Sequence, residues 1–305
     1  MKRTKKWLLA AAVLLLCGLA LGIVGLAING FRFEKLSTKK TVESEKTLTC
    51  PTTGLCIDTD QVDVLVCPSE SDTVKMQYVG SEEQTVSTYS ENGVLHIDCK
   101  KNEDAPLQWF SIGPADKLTV YLPARRVSDL SVNTESGSIE LQKGLDLMQA
   151  ELSSSSGNID CHAAFKSSLT ISSLSGSVLL ENTTAGKIAL ETRSGNCRLR
   201  KTATEKDALS VTTRSGNIKL KNCTAGGELH LHSESGNIRL SDCDGASIRL
   251  ESESGSIKGS VVRPMIFNAN TSSGRLRLPG DGPTGAPVCT IRTQSGSVTL
   301  TITED

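Results

Sequence analysis

Several residue sets in this sequence have the types and spacing to do chemistry. His230 and His232 stand two apart, and Glu251 falls in the matching place of the following repeat. Two imidazoles and one carboxylate form a common metal triad. No third ligand here has the spacing such a site requires, so these are read as exposed polar side chains, and no metal or cofactor is assigned. Nine hydroxyls, Thr134, Ser154, Ser173, Thr192, Thr213, Ser233, Ser252, Thr271 and Thr293, each precede a glycine by three positions. A hydroxyl becomes nucleophilic only beside a base. No His or Asp recurs with these nine, so they are read as a structural ladder, and no catalytic residue is assigned.

Five cations have a stricter arrangement. Arg198, Lys219, Arg239, Lys258 and Arg277 each stand three residues after a repeat glycine, in five consecutive repeats. Stacked strands hold equivalent residues about 4.8 Å apart, and like charges at that separation repel. The column is a candidate stripe for an anionic ligand; the alternative is a solvated, edge-protecting face. Arg200 and Lys221 widen it, and Glu140 and Asp160 fill the same column in the first two repeats.

Of nine cysteines beyond the N-terminal apolar run, none forms a CxxC pair, which argues against zinc-knuckle and thioredoxin-like chemistry. Cys161, Cys197 and Cys289 fall at inward positions and are read as small core residues. Cys223 and Cys243 both lie seven residues after their glycines. Corresponding places in adjacent coils are within disulfide reach, so this pair is a candidate disulfide or a pair of stacked thiols.

The element that positions all these residues is a repeat. Ser-Gly recurs with its glycine at 137, 157, 176, 195, 216, 236, 255, 274 and 296, in steps of 19 to 22 residues. Apolar residues alternate on both sides of each glycine, as in Leu209, Val211, Ile218 and Leu220. That period of two marks half-buried strands. The inward phase slips at the glycine, which predicts a bend there. Stacked units of this kind bury a core that none could bury alone. The expected fold is therefore all-β: a parallel β-solenoid of about 20-residue coils, preceded by one transmembrane helix.

The helix is expected in the run 7–28, with Trp7 at its start and Ile28 at its end, which carries no charged residue. Twenty-two residues suffice to span a bilayer; a cleaved signal peptide usually has a shorter apolar stretch. The basic N-terminal tail favours a cytoplasmic N-terminus and an extracytoplasmic body. The expected organisation is a cytoplasmic tail 1–6, the transmembrane helix 7–28, a polar linker 29–46, an irregular β region 47–128 capping the solenoid, and regular repeats 129–305. Asn92-Gly93 predicts a hairpin within the irregular region. The first forty residues hold eight basic groups against Glu34, leaving 25 basic and 33 acidic groups beyond. An acidic body argues against nucleic-acid binding.

Val-Asp-Val-Leu-Val-Cys-Pro-Ser-Glu-Ser-Asp from Val62, Leu-Thr-Val-Tyr-Leu-Pro from Leu118 and the repeated Ser-Gly-Asn/Ser-Ile-x-Leu resemble a bacterial β-strand-repeat family labelled "putative adhesin", a domain of unknown function common in Gram-positive bacteria. The resemblance covers roughly residues 48–303. It implies a cell-envelope solenoid, often anchored in the membrane and sometimes tied to envelope-stress regulation, and it supplies no catalytic residues. Glycoside hydrolysis needs two carboxylates set across a cleft, and the repeats contain only Phe165 and Phe267 as aromatics. The expectation is a non-catalytic adhesion or binding scaffold that meets an anionic envelope polymer or surface ligand. The alternative is an envelope-stress sensor or regulatory partner of a membrane protein; a polysaccharide-active enzyme ranks below both.

Overall fold

The computed structural model describes residues 41–48, 53–102, 115–123 and 127–303, with 14, 15, 17, 18, 20 and 24. Those six residues of the run 7–28 are helical and exposed; the rest of the expected membrane span lies outside the described residues. Among the described residues no helix is long and apolar enough to cross a membrane.

The body is all-β, with twenty-six strands among the described residues. One coil illustrates the unit. Leu209–Thr213 runs up to the Ser215-Gly216 bend, Ile218–Lys221 leaves it, and a corner at Asn222 leads into Thr224–Ser233. Alternation puts Leu209, Val211, Ile218 and Leu220 fully inside. Each strand pairs in parallel with its equivalent one coil away, so Leu190, Val211, Leu231 and Leu250 form one column. Cys197, Ile218, Ile238 and Ile257 form another. The strands before the bends make one sheet and those after it a second, with a thin apolar core between.

The hydroxyl ladder bonds to the bend backbone and joins adjacent coils. Ser233 Oγ accepts the Gly236 N–H at 2.8 Å and donates to the Gly216 carbonyl at 3.2 Å. Ser252 repeats this with Gly255 at 2.9 Å and Gly236 at 3.3 Å. Each buried hydroxyl thus meets its need for partners while fastening one bend to the bend before it. The bend glycine is required by crowding rather than by an unusual φ. A methyl group on Gly216 would overlap the carbonyl oxygen of Gly195, and one on Gly236 that of Gly216. Left-handed backbone occurs instead at the next corner, six residues after the glycine: Asn182 (φ 52), Lys201 (φ 48), Asn222 (φ 53) and Asp242 (φ 54). Asn and Asp tolerate that region better than other side chains; Lys201 is the exception.

Both ends depart from sequential stacking. Val288–Thr293 pairs with Ile238–Ser252 on one side and Ile266–Thr271 on the other. Val298–Ile302 likewise lies between Ile257–Val261 and Leu276–Arg277. The last coil in sequence is therefore the penultimate coil in space. The other end mirrors this. Gly54–Thr59 lies between Val94–Lys101 and Asp129–Thr134, and Asp63–Ser69 lies between Lys117–Pro123 and Ile139–Leu141.

Antiparallel strands close the N-terminal end. Gln84–Glu91 turns at Asn92 (φ 51) and Gly93 (φ 81) into Val94–Lys101, the hairpin that Asn-Gly predicts. The expected linker 29–46 needs correction. Its last six residues belong to the strand Thr41–Leu48, which pairs antiparallel with Val74–Ser81. Charge suggested a solvated segment, yet the strand keeps its charge by placing it on an exposed edge, with Glu45 bridged to Lys75 at 2.9 Å.

Candidate functional site

The sheet after the bends carries the basic column on its outer face. Arg198, Lys219, Arg239 and Lys258 are direct register neighbours across four adjacent coils. All four are exposed, and none has an ion pair among the described residues. Their column continues through Leu179 to Asp160 and Glu140, so one face is basic at one end and acidic at the other. Burial, first of all, raises the Asp160 pKa. Arg200 and Lys221 are paired neighbours two residues further along, and Arg200 reaches Glu181 at 3.9 Å.

Arg277 is a correction. It is the fifth cation in sequence, but Thr299 stands between it and Lys258. The inserted final coil separates them, so the stripe has four contiguous members and Arg277 stands apart on the outermost strand.

Beside the cations runs a ladder of uncharged asparagines, which the pattern of charges alone does not reveal. Asn196, Asn217 and Asn237 each follow their bend glycine. Asn196 Oδ1 accepts both the backbone N–H and the side-chain Nδ2–H of Asn217, at 3.0 and 3.1 Å. Asn217 Oδ1 accepts the same two groups of Asn237, at 3.0 and 3.3 Å. Asn237 Oδ1 accepts the Ser256 N–H at 3.0 Å. The backbone donors fix which amide atom is oxygen. Ladder and cations together line an open groove of ≈ 610 Å³ that ends at Asp160. The recurring Ser-Gly-Asn was the available signal.

The other two candidate sets sit elsewhere. Glu251 Oε2 is 3.4 Å from His230 Nε2 and 3.9 Å from His232 Nδ1. Arg249 is the register neighbour of His230, lies 4.0 Å from Glu251 and bonds Glu228 at 3.0 Å. A permanent cation within the cluster opposes a metal ion, and among the described residues no three His, Cys, Asp or Glu side chains are arranged so that they could hold one. Cys223 and Cys243 are free, fully buried and side by side; Asp244 N–H donates to the Cys223 carbonyl at 3.0 Å. Contact with Cys223, then burial, raises the Cys243 pKa, while the same contact lowers that of Cys223. Cys161, Cys197 and Cys289 lie in the core, and burial pushes each thiol up to about 12. Thiols held protonated in this way are poor nucleophiles.

The comparisons with known proteins agree on architecture. A crystal structure described as a putative adhesin from Bacteroides fragilis is similar at 16% identity and a TM-score of 0.50, covering 87% of this chain and 99% of that one. One described as a putative lipid binding protein from Parabacteroides distasonis is similar at 16% identity and a TM-score of 0.56, covering 87% and 98%. Identity this low establishes a shared fold alone. No curated protein matches the sequence. Residues 52–301 match Toastrack DUF4097, so this chain belongs to the Toastrack DUF4097 family.

Proposed function

We propose that this protein is a non-catalytic, membrane-tethered binding scaffold of the bacterial cell envelope, and that it holds an anionic envelope polymer against its basic column. The observation that carries the reading is the stack of Arg198, Lys219, Arg239 and Lys258 in register, without acidic partners among the described residues. Such a stack raises the energy of the free protein by mutual repulsion, and a bound polyanion relieves it. The uncharged run 7–28 supports the tether, as do Leu14 and Leu15, helical and 74% and 70% exposed. Twelve residues, 29–40, separate that run from the first described strand at Thr41. The tether thus joins the end of the solenoid opposite the inserted final coil, with the basic coils in the distal half.

The test uses full-length protein in vesicles of neutral lipid. Linear polyphosphate or polygalacturonate should bind, with affinity falling as salt rises. Replacing Lys219, Arg239 and Lys258 with Ser should weaken binding and flatten the salt dependence. Absence of binding at low salt, with the protein folded, would refute the reading.

A further inference from the structure

The ladder beside the cations constrains the ligand more tightly than charge does. A carbonyl oxygen has two acceptor sites and an amide nitrogen two donors. Asn196 Oδ1 and Asn217 Oδ1 each accept two hydrogen bonds, so both oxygens are saturated inside the ladder. Asn217 Nδ2 and Asn237 Nδ2 each spend one of their two N–H groups on the preceding oxygen. The second N–H of each has no hydrogen-bond partner among the described residues. Arg and Lys side chains, which line the same groove at Arg198, Lys219 and Arg239, are donors only. Along the coils from Gly195 to Gly236 the groove therefore offers donors in two parallel rows and few acceptors.

Resting on the polymer-binding reading above, we infer that this groove selects a linear polyanion whose charged groups are acceptor-only oxygens, phosphodiester or carboxylate, and discriminates against neutral glycans. A sugar hydroxyl must both donate and accept, and along these coils its proton meets cations and the saturated oxygens of Asn196 and Asn217, with one open site at Asn237 Oδ1 as the exception. An ionised phosphate or carboxylate carries no such proton and gains charge-assisted bonds from both rows. The repeat spaces the donors at about 4.8 Å, so the groove engages an extended chain running across the coils. Asp160 at the groove's end repels that chain and sets where it stops.

Serine supplies the discriminating variant. Ser138, Ser177, Ser256 and Ser297 already occupy the position after the bend glycine in other coils, and Ser297 Oγ accepts the Arg275 N–H at 3.4 Å. Asn196→Ser, Asn217→Ser and Asn237→Ser together should leave the fold intact, as circular dichroism and melting temperature will show, while removing the amide donors. Full-length protein in neutral-lipid vesicles is titrated with linear polyphosphate, polygalacturonate and dextran. Wild type should bind one or both polyanions, the preferred one naming the anion, and excess dextran should not compete. The triple variant should bind about tenfold more weakly with an unchanged salt slope, because the cations remain. Wild-type affinity in the folded triple variant would overturn this inference and leave the cation column standing. Competition by dextran would overturn it too. So would a salt-sensitive dimer that excludes polymer, since it would assign the column to the Glu140 and Asp160 of a second copy. Failure of wild type to bind either polyanion would instead remove the underlying reading.

Discussion

The middle coils and the two ends of this solenoid are built from one pattern but stacked by different rules. From Gly137 to Gly255 each coil lies on its predecessor in sequence. Near each end the chain passes outward and then returns, so a segment close to each terminus is clamped between two others. Val288–Thr293 and Val298–Ile302 have neighbours on both sides, while Leu276 on the outermost strand is 43% exposed. Terminal residues usually fray first, and a stack of parallel coils offers two open edges to other chains. Insertion buries the last coil and the segments Gly54–Thr59 and Asp63–Ser69 and leaves internal stretches outside them, although at the N-terminal end the strand Thr41–Leu48 still lies exposed against Val74–Ser81. The outer coils are also thinner: the inward positions of Ile266–Thr271 are only half-buried, where those of Val288–Thr293 are buried from Cys289 onward. The middle gains stability by repetition, and the ends gain it by order of assembly.

Truncation tests that difference most severely. Removing residues 287–305 takes away Cys289, Ile291, Val298 and Leu300, all buried, and leaves Ile266–Thr271 without its neighbour. The expected loss is about 6 kcal/mol or more, with hydrogen exchange showing that 266–277 unfolds as well. A sequential stack would shed only the last coil. Gly216→Ala comes next. Its methyl would meet the Gly195 carbonyl in the middle of the stack, and about 3 kcal/mol or more is expected in denaturant unfolding. Gly274→Ala meets the Gly296 carbonyl, but its coil has a free side and can shift, so it should cost less. Equal costs would show the outer coil to be as rigid as the middle.

Ser233→Ala sharpens the comparison at a single hydroxyl. It strands the Gly236 N–H and one bond to the Gly216 carbonyl, both buried, for about 1–3 kcal/mol. Thr271 donates to the Gly296 carbonyl at 3.1 Å but is only half-buried, so Thr271→Ala should fall below that range when measured in the same way. The smallest effect has the opposite sign. Lys201 holds the left-handed corner that Asn182 and Asn222 hold in neighbouring coils. Lys201→Asn should stabilise by up to about 1 kcal/mol, read as a higher melting temperature; a drop would mean that the lysine side chain contributes something the corner geometry does not reveal.

Much of the molecule is legible in the amino-acid sequence. Two alternating runs joined at Ser-Gly specify which side chains face inward, and repetition at a nearly constant step specifies which ones stack. Leu190, Val211 and Leu231 are partners for that reason, and Cys223 meets Cys243 for the same reason. Four cations of the stripe follow from the same alignment. The amide ladder is visible as Ser-Gly-Asn, but a hydrogen-bond direction is not a composition, and its saturated oxygens emerge only from distances.

Coil order is what sequence alone did not determine. Every coil presents the same apolar columns and the same bend, so any coil can stack on any other, and local pattern carries no information about which one does. The step of 22 residues into Gly296 and the stretch 279–287, with three prolines and three glycines, supply the slack to double back. Whether the chain uses that slack depends on which arrangement packs better, Cys289, Ile291 and Val298 or their register counterparts Phe267, Ala269 and Leu276. That choice is made among whole coils, between residues far apart in the chain. It is why Arg277, fifth in the sequence pattern, stands outside the stripe that the other four cations form.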